Sequence, residues 1–222
     1  MSGLTGARLD DRVRAAILRV PEEERAAVAN AADRLAEFLS ILLEKNEAMN
    51  LVSARSADPG ILVETHLFDA LLGLALLPRP HGSVVRLLDL GSGGGFPAIP
   101  LLIVRPDLVG TLVESSRKKA AYLDEALDRL ALTARAVNAR FPDSFPMNGP
   151  RRYDVLTTRA VGSAGKLVNA ARPILAPGAL ALLWTTRPLS DEARKASRAK
   201  KHAFHPAPGA DLRGILALEC FT

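Results

Sequence analysis

The sequence predicts an α/β domain of the Rossmann-like, doubly wound kind, with a mostly parallel sheet and a helical extension on its N-terminal side. Two observations carry this. From residue 84 onward, short apolar runs alternate with stretches of helical periodicity, the pattern of strands linked by helices that cover both faces of a sheet. Directly after the first run stands Asp89-Leu90-Gly91-Ser92-Gly93-Gly94-Gly95-Phe96-Pro97. Its alternating glycines let a tight turn leave a strand end and bring bare backbone against a ligand. Pro97 suits the first turn of a following helix, where its missing N–H costs nothing.

The first part of the chain reads as helical. Pro21-Glu22-Glu23-Glu24 is an acidic first turn, and Val28, Ala31, Leu35, Leu39 and Leu42 recur at three- and four-residue steps. One long helix with a packed apolar face is expected there. Asp58 before Pro59 reads as an N-cap, and a further helix is expected over 59–77, closed by Pro78-Arg79-Pro80. Strands are expected over 84–90, 108–114, 134–139, 153–158 and 179–184, with helices over 97–104, 117–130 and 163–175. Pro177-Gly178 marks the turn before the fifth strand. Segments 201–204 and 215–221 are expected to close the sheet as an antiparallel hairpin around 206–214. The expected division is a helical extension over 1–60 and a cofactor-binding domain over 61–222.

Composition narrows the class. At 222 residues, 48% hydrophobic and 24% charged, the chain is ordinary for one α/β domain with an appendage. No apolar run reaches the roughly 20 residues that span a bilayer. Asp10 and Asp11 after Arg8 break the pattern of a secretion signal, so a cytoplasmic protein with no membrane partner is expected. Cys220 is the only cysteine, which excludes an internal disulfide or a cysteine-rich zinc cluster. His66, His81, His202 and His205 form no helical H-x-x-x-H pair, so no metal is expected, and the chain is expected to be a monomer.

The net charge of +5 is unevenly placed, because residues 1–60 carry eight Lys/Arg against ten Asp/Glu and the remainder carries 21 against 14. Basic clusters stand at Arg117-Lys118-Lys119, at Arg151-Arg152, and through Arg187, Arg194, Lys195, Arg198, Lys200 and Lys201. Any one of them reads as a solvated helix face. Together, beside a cofactor fold, they favour a polyanionic partner.

The cofactor is the sharper question, since Gly93, Gly95 and Ala98 also satisfy the G-x-G-x-x-A spacing of a dinucleotide turn. Asp89 precedes the first glycine by two residues, and Glu114 ends the next apolar run, so two carboxylates converge on adjacent strand ends. A pyrophosphate is disfavoured there. S-adenosylmethionine has no phosphate, and its ammonium and sulfonium gain from nearby carboxylates, while Glu114 can accept from both ribose hydroxyls. S-adenosylmethionine is therefore expected ahead of NAD, with a ligand-free glycine turn as the bland alternative.

With these residues in view, the chain resembles, over most of its length, the bacterial small-subunit rRNA guanine-N7 methyltransferase family, also called glucose-inhibited division protein B. The most specific match runs from Asp89 through the glycine turn to Ala98-Ile99-Pro100-Leu101. Others are Asn46, Asn50-Leu51, His66-Leu67-Phe68-Asp69, Glu114-Ser115, Lys118-Lys119, Arg140 and Thr158-Arg159-Ala160. The resemblance implies a class I S-adenosylmethionine-dependent methyltransferase with a seven-stranded sheet, acting on N7 of a guanine in 16S rRNA, either free or in the small ribosomal subunit. It places Asp89, Gly91, Gly93, Gly95, Phe96 and Glu114 at the cofactor, with Phe141-Pro142 along its adenine. Arg159 would lie beside cofactor and target base as the catalytic residue, and Lys118, Lys119, Arg140 and Arg213 would face RNA. The chain departs from the family pattern at Ala98 (usually glycine), Lys45 (tryptophan), Pro142 (glutamate) and Trp184-Thr185 (Lys-Gly). Arg213-Gly214-Ile215 also lacks the usual terminal lysine. The cofactor half thus matches better than the RNA-facing half.

Residue chemistry agrees with N7 as the target. Methylation of an exocyclic amine commonly uses an Asn/Asp-Pro-Pro-aromatic loop, and C5 methylation of pyrimidines needs a cysteine nucleophile. The fourth strand instead ends Thr157-Thr158-Arg159-Ala160, and Cys220 is near the C-terminus. Guanine N7 already offers a lone pair, so alignment and exclusion of water suffice. Arg159 suits stacking on a base or bonding O6, and this reading is favoured over that of a structural arginine tying a strand end to a carboxylate. His66 reads first as a packed histidine holding Asp69 or a carbonyl, Asn46 and Asn50 as loop-fixing, and Phe96 as core or as a cover for the methionine end. Two alternatives stand beside this reading: a methyltransferase for another substrate, and a non-catalytic cofactor- or RNA-binding relative.

Overall fold

The computed structural model describes residues 2–79, 84–147, 152–159, 163–197, 199 and 201–220. Seven strands form one sheet: β1 (Val85–Leu90), β2 (Leu108–Glu114), β3 (Ala134–Asn138), β4 (Tyr153–Arg159), β5 (Leu175–Thr186), β6 (Lys201–Ala207) and β7 (Ala210–Cys220). Their spatial order is β3-β2-β1-β4-β5-β7-β6. The first five pair in parallel, β7 runs antiparallel to β5, and β6 antiparallel to β7. Because the order reverses between β1 and β4, their crossovers diverge and leave a crevice at the carboxyl ends of these two strands.

Period-two alternation sorts β1 between the sheet's two faces: Val85 and Leu87 enter one buried cluster, Leu88 and Leu90 the other. Helices α6 (Ala98–Val104) and α7 (Arg117–Arg129) cover the first face, and α8 (Ala164–Ala171) lies against the second. The extension joins the first face. Leu35, Phe38, Leu39 and Leu42 are at most 0% exposed in the same cluster as Leu87 and Leu112. Each such side chain contributes about 1.5–3 kcal/mol on burial.

Helix boundaries depart from the periodic reading in instructive ways. The expected single helix after Pro21 is two, α2 (Glu22–Asn30) and α3 (Ala32–Met49), broken at Ala31, where the backbone turns to φ −98°, ψ 0°. Val28 and Leu35 remain in one core across the break, so the apolar repeat runs through it unmarked. A further helix, α1 (Ser2–Ile17), precedes both. The stretch expected over 59–77 divides into α4 (Pro59–Leu62), a π-helical turn (Val63–Leu67), α5 (Phe68–Leu71) and a 3-10 turn (Leu74–Leu76). Asp58 does cap it, accepting from the N–H groups of Gly60 at 2.9 Å and Ile61 at 3.0 Å. Within it the 18 residues Pro59–Leu76 are apolar enough by composition to cross a membrane, but Leu62, Leu67, Phe68 and Leu71 are spent on the core.

Helix α9 (Arg187–Ser197) was legible only as a basic run, because its buried residues are the small Ser190, Ala193 and Ser197. It packs so close to α8 that a Cβ on Gly165 would collide with the Ala193 backbone. The closing hairpin is longer and tighter than expected. Its turn is Pro208-Gly209, with Gly209 at φ 74°, and the expected loop residues join the strands. As the sheet edge, β6 is mostly exposed and shows no apolar run. Likewise β5 begins at Leu175, and Pro177-Gly178 becomes an irregularity in its pairing with β4, not a turn before it.

Candidate active site

The turn after β1 is shaped by three glycines with positive φ, Gly91 at 76°, Gly93 at 51° and Gly95 at 93°. They face different ways. A Cβ on Gly94 would stand 3.3 Å from both Leu42 Cδ1 and the Leu51 carbonyl, and one on Gly95 would stand 3.0 Å from Ile99 Cγ1. A Cβ on Gly93 would meet nothing nearer than the Gly91 carbonyl at 3.8 Å. Gly93 is thus the open position, while its neighbours seat the turn on the helical layer. From the same inner side Tyr122 donates its hydroxyl to the Gly94 carbonyl at 3.3 Å, and burial pushes that hydroxyl's pKa up, which keeps it a donor. The Phe96 ring turns into the core, 5.1 Å from Phe38 and 5.3 Å from His66, and leaves only its backbone to the turn.

Two carboxylates flank the turn. Glu114 at the end of β2 accepts the Gly93 N–H on Oε2 at 3.0 Å and the Ser116 N–H on Oε1 at 2.8 Å. Oε1 also accepts the Ser115 hydroxyl at 3.4 Å, so the spare acceptor capacity for an incoming hydroxyl is on Oε2. Asp89 is 1% exposed; its Oδ1 accepts the Thr157 hydroxyl at 2.6 Å and its Oδ2 has no partner. Burial is the main reason its carboxyl is pushed up to about 7, against the neighbouring Ser92 and Thr157 hydroxyls and with a further upward push from Glu114.

The remaining cofactor candidates lie one strand further on. Asn138 Nδ2 donates to the Glu114 carbonyl at 3.0 Å, which pins the start of the following loop to the end of β2. In that loop Phe141 and Pro142 are half-buried, with the Phe141 ring 5.5 Å from Phe145. Arg140 is exposed, as is Lys118, and Lys119 is half-buried in the first turn of α7. Ala160, His81, Arg151, Arg198, Lys200 and Phe221 lie outside the described residues.

Beyond β1 the crevice changes character. Arg159, at the end of β4, donates from Nη2 to the Thr65 carbonyl at 2.6 Å and lies 3.6 Å from Asp69 Oδ2, while its buried Nη1 has no partner. Arg213 Nε approaches the same Asp69 oxygen at 3.5 Å, and Asp69 Oδ1 is buried with no partner. The arginine is thus tied to the π turn as a structural residue would be, yet retains an unused donor. Burial raises the Asp69 carboxyl, opposed by Arg213 and Arg159. His66 is packed on Phe96 as expected, but it holds neither Asp69 nor a carbonyl. It has no hydrogen-bond partner among the described residues, and burial, with Arg159 and Arg213, lowers its pKa to about 4.

A cavity of about 330 Å³ opens here between Asp69, Arg159, Trp184, Leu189, Arg213 and Ile215. Trp184, one of the departures from the family pattern, is one wall of it. Its indole N–H donates to the Asp69 carbonyl at 2.7 Å, and its ring lies where a Cβ on Gly73 would come within 2.6 Å. A second departure, Lys45 in α3, pairs with Glu125 at 2.8 Å and so ties α3 to α7. Asn46 accepts the Val52 N–H at 2.8 Å and Asn50 takes the left-handed conformation that ends α3, so both fix the loop as expected. No local pattern brings Asp69, Arg159, Arg213 and Trp184 together; the sequence signal was limited to polar residues, Glu64, Thr65, His66 and Asp69, interrupting an apolar helix.

The strand order, the antiparallel seventh strand, the glycine turn after β1 and the acid ending β2 define a class I methyltransferase. The fold is shared with the CurJ carbon methyltransferase (TM-score 0.59, 13% identity, 100% of this chain and 71% of that one). It is also shared with a precorrin-6y C5,15-methyltransferase from Geobacter metallireducens GS-15 (TM-score 0.53, 14% identity, 69% and 87%). Residues 31–205 match the family described as rRNA small subunit methyltransferase G, GidB, and the chain belongs to this family. It is 38% identical over 165 residues to the ribosomal RNA small subunit methyltransferase G of Sorangium cellulosum, covering 74% of this chain and 68% of that protein. The protein of the same name from Xanthomonas oryzae pv. oryzae is 37% identical over 177 residues, covering 79% and 78%.

Proposed function

We propose that this methyltransferase uses S-adenosylmethionine to methylate N7 of a guanine in cytoplasmic 16S rRNA. The observation that carries the reading is the divided crevice at the reversal of strand order. On one side are an open glycine turn and two carboxylates, on the other an arginine-bearing apolar cavity. The residues fit the cofactor. The bare, buried Oδ2 of Asp89 suits an ammonium donor, Glu114 has acceptor capacity for ribose hydroxyls, and Gly93 leaves backbone open to close approach. Phe141 and Pro142 offer the apolar edge along which an adenine would lie. S-adenosylmethionine supplies a methyl group on a sulfonium.

The chain's own residues then have a limited task. Guanine N7 needs no deprotonation, so the site must hold the base in line and keep water out. The spare Nη1 donor of Arg159 suits guanine O6, the acceptor beside N7. Its attachment to the Thr65 carbonyl fixes the guanidinium before any base arrives. The test is mass spectrometry of rRNA nucleosides from a strain lacking the gene, and of small subunits from that strain after incubation with the pure protein and S-adenosylmethionine. Loss of one 7-methylguanosine and its restoration are expected. An unchanged profile would favour a binding relative without turnover.

A further inference from the structure

Asp69 is a carboxylate with nothing to do in the mechanism above, yet it is 4% exposed and lines the cavity. A buried acceptor without a donor is costly, and folded proteins rarely keep one unless a ligand completes it. Here two unused groups occur together: Asp69 Oδ1, an acceptor, and Arg159 Nη1, a donor, on side chains whose other atoms are 3.6 Å apart. Both are held from behind. The Asp69 backbone carbonyl is fixed by the Trp184 indole, and the Arg159 guanidinium by the Thr65 carbonyl.

Resting on the reading of a guanine target, we infer that Asp69 is the residue that selects guanine, accepting from its N1–H and N2 amine while Arg159 donates to O6. Donor and acceptor then match adjacent positions on one base edge, and N7, next to O6, is left free for methylation. Other occupants fit less well. A phosphate between the two arginines would meet the Asp69 oxygen. Adenine offers an acceptor at N1, where guanine gives the carboxylate a donor. The apolar surface of Trp184, Leu72 and Ile215 supplies contact for a flat base, and 330 Å³ lies at the low end of small-ligand pockets.

The probes are guanosine, inosine and adenosine monophosphates, titrated into the full chain saturated with S-adenosylhomocysteine. Inosine lacks only the N2 amine. The wild type is expected to bind the guanosine nucleotide about tenfold more tightly than the inosine one, as a site built around a donor does when the donor is removed. Asp69→Asn should bring that ratio close to one with cofactor affinity unchanged. Equal wild-type affinity for the two nucleotides, or a preference that survives Asp69→Asn, would overturn the assignment, and the wild-type ratio decides alone if the variant does not fold. Methylation of small subunits by the wild type is scored separately, so failure of the guanine-N7 reading is distinguishable from failure of Asp69 as its reader.

Discussion

Thr157 reaches across from β4 to donate its hydroxyl to Asp89 Oδ1 at 2.6 Å, inside the sheet and two residues before the glycine turn. This bond does not compensate for the loss of water around the carboxylate, whose pKa rises to about 7 from 3.8. The folded protein therefore holds a proton that the unfolded chain releases. The associated stability is complete below the unfolded value and is lost as pH rises through the folded one.

Asp89→Asn keeps a neutral group at every pH. Its melting temperature relative to wild type should climb by several degrees between about pH 5 and 8. Over the same range wild-type affinity for S-adenosylhomocysteine should increase, because the ammonium favours the ionised carboxylate. Parallel melting curves for the two proteins would place the titration elsewhere.

Glu114 joins the glycine turn to the end of β2 and is also the proposed ribose ligand. Isothermal titration should show Glu114→Ala binding S-adenosylhomocysteine more weakly by about 1–3 kcal/mol, the range for polar partners left unmatched. Undiminished affinity would remove it from that role. No comparable binding of NAD is expected.

Arg117, Lys118 and Lys119 occupy the first turn of α7, which has no acidic residue. Cations are unfavourable at the positive end of a helix dipole, by about 0.3–1 kcal/mol each. Reversing Lys118 and Lys119 to Glu should therefore leave the fold as stable or more so. The same change should flatten the salt dependence of RNA binding if these side chains contact phosphates. An unaltered slope would leave them as solvated charges.

For Arg159, single-turnover methylation separates alignment from binding. Arg159→Ala should lower the rate far more than it lowers cofactor affinity, because misplacement of the base acts on the barrier. Arg159→Lys should rescue little, since an ammonium cannot reach both the Thr65 carbonyl and a base with a planar fork. Wild-type turnover in the alanine variant would reduce Arg159 to a strut.

What the sequence made legible was set by periodicity and by local punctuation. Alternating apolar runs located β1 to β4 closely, and Asp58-Pro59 marked a helix start that the structure shows capped. The α2/α3 break at Ala31 escaped because packing continues through it without glycine or proline. Helix α9 escaped because it buries only small residues, whereas β6 was expected from Lys201 and only its extension past Phe204 escaped, on an exposed edge. The glycine turn and its carboxylates were readable since they are contiguous with strand ends. The Asp69 cluster was not, because it joins helix, β4 and β7, contacts of long sequence separation that no local pattern encodes.

Gly94 is the seat of a reciprocal coupling. A side chain there would press on Leu42 and Leu51, and the Gly94 carbonyl is held by Tyr122. The layer that looks like an appendage is therefore the anvil on which the cofactor turn is shaped. By linkage, whatever tightens the turn must also tighten the docking of that layer by the same free energy. Bound S-adenosylhomocysteine should slow amide exchange in α3. Loosening α3, with every ligand-contacting side chain intact, should weaken the cofactor to the same degree.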